Sequence, residues 1–190
     1  IAMFLDDTTT YPAAVLGAIR AGFVPVLLNI QTKPDVLSYF LSDSGARCAV
    51  IEADLSGLFD ANLLAGTNVT TIVVANGVIT GPEQIAASDF LSDQPTDLDV
   101  ADTEPDDMAF WMYSSGSTGQ PKGIVHLQHD MAYSFFSFGQ NVLKLNSDDI
   151  CFSVPKIYFA YGFGNSITFP FAVGATTLLL PGQPTPEKVL

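Results

Sequence analysis

The sequence predicts an α/β protein with mostly parallel sheets flanked by helices. Two observations indicate this class. Short apolar runs alternate with helical patterns along the chain, and some runs are continuously apolar, as in parallel strands that are buried on both faces. Val24–Leu28 and Thr71–Ala75 show this pattern best. The chain has 190 residues, of which 48% are hydrophobic, which is enough for one domain with its own core.

Residues 1–87 contain the clearest alternation and are predicted to form a first sheet region. Thr10 is expected to cap a helix, and Gly22 is expected to end it. Pro34 opens the next helix, which stops at Gly45. The predicted elements are a strand at Ala2–Leu5, a helix at Ala13–Ala21, a strand at Val24–Leu28, a helix at Pro34–Ser44, a strand at Ala46–Ile51, a helix at Leu55–Leu64, a strand at Thr71–Ala75 and one or two helical turns at Gly81–Ala87.

An acidic stretch at residues 88–107 follows. We interpret it as a solvated linker rather than a metal site, because its carboxylates do not follow the fixed spacing that metal ligands show. Residues 108–190 are then predicted to form a second sheet region. Its elements are a strand at Met108–Met112, a helix at Asp130–Leu143, a strand at Ile150–Val154, a helix at Phe163–Val173 and a strand at Thr176–Leu180.

Charge and composition exclude some partners. The formal net charge is −13 with only 7 basic residues, which argues against a nucleic-acid partner. The apolar stretches are too short to span a bilayer, so no membrane partner is expected. Cys48 and Cys151 lie in apolar runs and are predicted to be buried, reduced thiols of a cytosolic protein.

A hydroxyl- and glycine-rich segment carries the strongest functional signal. Tyr113–Gly123 reads Tyr-Ser-Ser-Gly-Ser-Thr-Gly-Gln-Pro-Lys-Gly and follows the apolar strand. Glycines allow backbone N–H groups to approach phosphate oxygens, hydroxyls add donors, and a lysine adds a positive charge. The spacing is not that of a Walker A loop. The predicted phosphate-binding residues are Ser114, Ser115, Gly116, Ser117, Thr118, Gly119 and Lys122, and Thr118 is also a candidate Mg²⁺ ligand.

This segment resembles the phosphate loop of adenylate-forming enzymes, which include the acyl- and aryl-CoA synthetases. The resemblance extends to residues 13–26 and 37–46. It implies a fragment of a large N-terminal adenylation domain that uses ATP, Mg²⁺ and coenzyme A. The family's catalytic lysine and ribose-binding aspartate are expected outside these 190 residues, so no catalytic residue is assigned, and the chain alone is predicted to be inactive.

A narrower resemblance lies in residues 156–165, which are similar to benzoate-CoA and 4-hydroxybenzoate-CoA ligases. It implies an aromatic carboxylic acid as substrate. The predicted substrate-binding residues are Phe159, Ala160, Tyr161 and Gly162, with the small residues leaving a slot for a ring. Lys156 matches the same subgroup, but its role cannot be derived from the sequence. His126 and His129 are predicted to pack or hydrogen-bond under the loop rather than to bind metal.

Several alternatives stay open at this point. Within the family, the substrate could be another carboxylic acid, or the chain could come from a peptide-synthetase adenylation domain. Outside catalysis, the chain could be a nucleotide-binding module, or an α/β domain with an inert Ser/Gly loop. A homodimer is kept as an option for the oligomeric state.

Overall fold

A seven-stranded sheet forms the centre of the computed structural model, which describes residues 1–81, 83–116 and 119–190. A separate pair of strands lies in the last part of the chain. The strands are β1 (Ala2–Phe4), β2 (Val26–Leu27), β3 (Cys48–Glu52), β4 (Thr71–Ala75), β5 (Gln84–Ala86), β6 (Met108–Ser114), β7 (Lys122–Leu127), β8 (Ile150–Phe152) and β9 (Thr176–Leu178).

Helices connect most of these strands. The helices are α1 (Thr10–Arg20), α2 (Pro34–Asp43), α3 (Ala61–Leu64), α4 (Ala87–Leu91), α5 (Asp130–Ser134), α6 (Ala160–Phe163), α7 (Phe169–Val173) and α8 (Pro186–Val189). A 3₁₀ turn at Ala53–Leu58 precedes α3. π-Helical turns extend α5 through Phe135–Leu143 and join α6 to α7 through Gly164–Thr168.

The large sheet has the strand order β5-β4-β3-β1-β2-β6-β7. Every neighbouring pair is parallel except β6 and β7, which are antiparallel. Consecutive residues of β1 point to opposite faces, so Phe4 joins one core and Met3 the other. Core packing on both faces explains the continuous apolar runs of the strands, and it confirms the predicted fold class.

The two cores differ in which part of the chain completes them. One contains apolar residues of α2 and α3, including Leu37 and Leu63. The other combines Tyr11 and Val15 of α1 with Ile157. The last part of the chain therefore covers the α1 face of the sheet and places its own helices beside β6.

Helix α1 shows how local signals set an element's limits. Its buried residues Tyr11, Val15 and Ala18 recur at helical spacing. It ends before Gly22, which has a φ of +79° and donates its N–H to the Ile19 carbonyl at 3.0 Å. The predicted N-cap was wrong, because Thr10 is the first helical residue.

The predicted division into two sheet regions was also wrong for the strand before the loop. That strand, β6, pairs in parallel with β2, with Val26 opposite Trp111. The acidic linker makes this possible because it docks on the end of α1, where Arg20 donates to the Leu98 carbonyl at 2.9 Å. In addition, the Ala101 N–H donates to the Arg20 carbonyl at 2.9 Å. The linker thus returns the chain to the start of β2.

Two smaller predictions need correction. Within the segment 81–87, where helical turns were expected, Gln84–Ala86 form the strand β5, which pairs in parallel with β4. The single helix expected at 55–64 is divided in two, because the Asp60 carboxylate accepts the N–H groups of Asn62 and Leu63, both at 2.9 Å, and starts a new helix. Within the described ranges, no helix has the length and apolar character of a membrane span.

Candidate functional site

The predicted phosphate loop joins β6 to β7 in an antiparallel hairpin. Ser114 is the partner of Lys122, and Tyr113 is the partner of Gly123. The strand before the loop was predicted, but its antiparallel return was not. The hairpin brings Lys122 back beside Ser114 although eight positions separate them in the sequence, so a hydroxyl and an ammonium group lie side by side at the base of the loop.

Glycine is required at two points of the loop. A side chain on Gly116 would collide with the backbone carbonyl of Gln120. Gly119 has a φ of +97°, a conformation that other residues rarely adopt, and its N–H donates to the Gly116 carbonyl at 3.2 Å. Ser117 and Thr118 lie outside the described residues, so their predicted contacts to phosphate and Mg²⁺ stay predictions.

Helix α2 supports the loop from one side. The Tyr39 hydroxyl donates to the Pro121 carbonyl at 3.1 Å, and the Tyr113 hydroxyl donates to Asp43 at 2.7 Å. The Tyr113 ring stacks on Phe40 with 4.0 Å between ring centroids. Burial, together with the Asp43 carboxylate, raises the pKa of Tyr113, so this residue stays a neutral donor. Both ends of the loop are therefore anchored.

The loop presents its polar groups to solvent. Ser114, Ser115, Gly119 and Lys122 are exposed, whereas Gly116 is half-buried. In the part of the chain that the structure describes, Lys122 makes no ion pair. Its charge is thus available to an anion from outside the chain.

Three cross-strand pairs lead from the loop along one face of the hairpin. Alternate residues of a strand share a face, and partners across a pair share it too. Successive pairs of this kind are about 7 Å apart. Starting at the loop, the pairs are Ser114 with Lys122, Met112 with Ile124, and Phe110 with His126.

An open cleft of about 580 Å³ lies on this face, between the hairpin and the helices α5 and α6. Met112, Phe110 and His126 form part of its lining. Ala160, Tyr161 and Phe163 of α6 lie in the lining as well. The cleft therefore begins one pair away from Ser114 and Lys122, and it is mostly apolar and aromatic.

The structure brings only two of the four predicted substrate-binding residues to this cleft. Ala160 and Tyr161 line it, but Phe159 and Gly162 do not. Phe159 packs edge-on against Tyr158, with ring centroids 4.8 Å apart. Gly162 is buried, and a side chain there would collide with the carbonyl of Lys156. Gly162 therefore serves close packing rather than the slot itself.

The histidines pack and hydrogen-bond, which confirms that part of the prediction. The His126 ring stacks on Phe110, with centroids 4.5 Å apart and an interplanar angle of 11°. Its Nδ1 lies 3.3 Å from Oδ2 of Asp130. His129 Nδ1 lies 2.9 Å from the Pro105 carbonyl. His126 lines the cleft, a position that the sequence did not reveal.

A buried cluster of Asp6, Asp7 and Lys156 was missed from the sequence. Lys156 Nζ lies 2.9 Å from Oδ1 of Asp6 and 3.9 Å from Oδ2 of Asp7. It also donates to the Leu180 carbonyl at 2.6 Å. Asp7 accepts the Ile157 N–H at 3.1 Å. The sequence did contain a signal for this cluster. Two acidic residues directly follow the apolar run Ala2–Leu5, and the chain has only 7 basic residues that could pair with them.

The two carboxylates differ in their pKa. Burial raises the pKa of Asp7 to about 6, although the hydrogen bond from Ile157 and the charge of Lys156 oppose this rise. Burial also acts on Asp6, but hydrogen bonds from Lys156, Gly182 and Asp7 outweigh it and lower the pKa of Asp6. Lys156 is thus paired mainly with Asp6.

The cysteines give no sign of a reactive site. Cys48 and Cys151 are free, and both are only partly buried, although they were predicted to be buried. Burial raises the pKa of both thiols, which makes each a weaker nucleophile at neutral pH.

Comparison with known proteins identifies relatives of the whole chain. A model of the family described as "AMP-binding enzyme" matches residues 1–190. The chain is 40% identical over 183 residues to a benzoate–CoA ligase of Thauera aromatica. The aligned region covers 96% of this chain and 34% of that relative. The chain therefore spans about a third of the length of the curated relatives it matches.

Solved structures agree in fold. A benzoate CoA ligase from Burkholderia xenovorans LB400 superposes with a TM-score of 0.87 at 31% identity, covering 99% of this chain and 36% of that one. The anthranilate CoA ligase AuaEII in complex with anthranoyl-AMP gives a TM-score of 0.91 at 30% identity. That match covers 95% of this chain and 35% of the AuaEII chain.

Proposed function

Because the chain belongs to the family of AMP-binding enzymes, we propose that it supplies the phosphate-binding loop and part of the acid-binding cleft of an ATP-dependent acid–thiol ligase that forms AMP. The proposed reaction has two steps. A carboxylate first attacks the α-phosphorus of ATP and releases pyrophosphate, and the thiol of coenzyme A then displaces AMP from the acyl-adenylate.

The proposed acid is benzoate or a ring-substituted benzoate. The observation that carries this choice is the position of Ala160 and Tyr161 in a mostly apolar cleft that begins one cross-strand pair from Ser114 and Lys122. An aromatic ring suits such a lining, and the small side chain of Ala160 leaves room for it. The ring's carboxylate, if it points along the hairpin, faces the loop. The names of the relatives support aromatic acids.

The loop suits a polyphosphate. Gly116 permits close backbone approach, Gly119 adopts a conformation that favours glycine, and Lys122 is exposed. In this proposal, the Ser114 and Ser115 hydroxyls, the loop amides and the Lys122 ammonium hold the β- and γ-phosphates, where negative charge grows as pyrophosphate leaves. A bound Mg²⁺ would neutralise further phosphate charge, and Thr118 is the proposed ligand from this chain.

The test uses the complete gene product and measures acid-dependent exchange of labelled pyrophosphate into ATP. Benzoate, 4-hydroxybenzoate and anthranilate are compared with acetate and with a free amino acid. We expect exchange with one or more of the aromatic acids and little with acetate. Thioester formation with coenzyme A then separates a CoA ligase from a peptide-synthetase adenylation domain.

Other outcomes would favour the alternatives. Exchange with acetate alone would indicate a ligase for another carboxylic acid. Binding of ATP in calorimetry, without exchange for any acid, would indicate a non-catalytic nucleotide-binding module. The cytosolic location, the homodimer and the lack of a nucleic-acid partner stay predictions.

A further inference from the structure

Lys156 is a buried cation in a chain with few basic residues. Its residue exposure is 7%, and it lies just before the helix that supplies Ala160 and Tyr161 to the cleft. Its Nζ meets Asp6 after β1 and the Leu180 carbonyl after β9. These partners are 150 and 24 positions away in the sequence, so the ammonium group ties three separate segments together.

The backbone of Lys156 contacts the first turn of α6. Its carbonyl accepts the Phe159 N–H at 3.0 Å. Gly162 packs so closely on the carbonyls of Pro155 and Lys156 that no side chain fits there. Ala160 and Tyr161 lie between these two contacts. Their place in the cleft wall therefore follows the position of the turn at 155–159.

A second contact holds the same turn. The Ile157 N–H donates to Asp7 at 3.1 Å, and the Ile157 side chain is fully buried in the core shared with α1. Asp6 and Asp7 are adjacent. The segment after β1 therefore holds the turn through two carboxylates: Asp6 contacts the Lys156 ammonium, and Asp7 accepts the Ile157 amide. Moving the turn would leave the lysine and a carboxylate buried without partners, which is a large penalty.

We propose that Lys156 is a positioning residue for the acid-binding cleft. Its ion pair with Asp6 and its hydrogen bond to the Leu180 carbonyl hold the turn before α6, and thereby set where Ala160 and Tyr161 stand relative to the hairpin. The inference rests on the proposed function for the nature of the ligand. Lys156 is not part of the cleft lining, so its proposed effect on the acid is indirect.

The test replaces Lys156 in the complete gene product and separates two Michaelis constants. For Lys156→Met we expect the KM for the aromatic acid to rise about tenfold or more, because a shift of about 1 Å in a positioned group is sufficient. The KM for ATP should change less than about twofold, since the loop is anchored by α2 instead. Lys144→Met, at an exposed lysine, is the matched control and should leave both constants unchanged.

A second variant removes the ambiguity of a misfolded protein. Asp6→Asn combined with Lys156→Met eliminates the ion pair without leaving the Asp6 charge unpaired, so it should fold even if the single variant does not. The raised KM for the acid should persist in this double variant. A folded double variant with the parental KM for the acid, or with equal rises in both constants, would overturn the proposal.

A separate measurement keeps this inference distinct from the proposed function. Amide hydrogen exchange at residues 157–163 should accelerate in the double variant, while exchange at residues 108–114 stays at the parental rate. Unchanged exchange at 157–163 would refute the positioning role whatever the enzyme's substrate. Failure of the parent to activate any aromatic acid would instead refute the proposed substrate.

Discussion

Ser114 and Lys122 are cross-strand partners at the end of the β6–β7 hairpin that carries the loop. This pairing places a hydroxyl and an ammonium group on the same sheet face as the cleft, one pair beyond Met112. The separation of about 7 Å between successive pairs is compatible with one ligand that reaches from the loop into the cleft.

The first prediction concerns the charge of the loop. Lys122→Ala in the complete gene product should slow pyrophosphate exchange by about 100-fold, because it removes a group that stabilises the leaving phosphates. Binding of the aromatic acid, measured by calorimetry, should change little. Lys144→Ala controls for the loss of one exposed lysine. Exchange at the parental rate would show that Lys122 does not contact the nucleotide.

The second prediction concerns the backbone of the loop. Gly116→Ala should abolish most exchange activity, because its methyl group would collide with the Gln120 carbonyl and force the loop to rearrange. The matched control is Gly17→Ala, at an exposed helical glycine with open space around it. That change should raise the free energy of unfolding by about 0.5–1 kcal/mol and leave activity intact. An active Gly116→Ala variant would contradict the proposed approach of phosphate to this turn.

The third prediction concerns the ring slot. Ala160→Phe should fill part of the cleft, so that benzoate is no longer activated while ATP still binds. Phe159→Ala is the comparison, since Phe159 packs against Tyr158 outside the cleft lining. It should preserve the choice of acid. An unchanged substrate profile for Ala160→Phe would place the acid elsewhere.

The fourth prediction uses the raised pKa of Asp7. The folded protein holds its proton up to a pH of about 6, whereas the unfolded chain loses it near 3.8, so Asp7 makes folding less favourable as the pH rises between these values. Asp7→Asn keeps the acceptor for Ile157 and removes this penalty. The melting temperature of the variant relative to the parent should therefore increase from pH 4 to pH 6 and stay constant above that.

Asp97→Asn is the control for the pH series, because Asp97 is exposed in the acidic linker. Its melting temperature should follow that of the parent at each pH. A difference between Asp7→Asn and the parent that is independent of pH would show that Asp7 does not titrate in this range.

Local signals in the sequence were sufficient for many elements. The strand at Thr71–Ala75 has its predicted limits, and Gly22 and Gly45 follow helices as expected. The loop was recognised because its glycines and its lysine are close together in the sequence. The three-residue strand β5 was missed, because such a short segment shows no period that separates a strand from a turn.

What the sequence by itself determined is the alternation of strands and helices and the chemistry of the loop, because both depend on residues a few positions apart. Only the tertiary structure decided that β6 joins β2, that Lys156 pairs with Asp6, and that Ala160 stands beside the loop's hairpin. Such contacts join residues dozens of positions or more apart. They depend on which buried surfaces and charged groups of distant segments pack together in the folded chain. Local periodicity reports only on residues a few positions apart, so it does not predict these contacts.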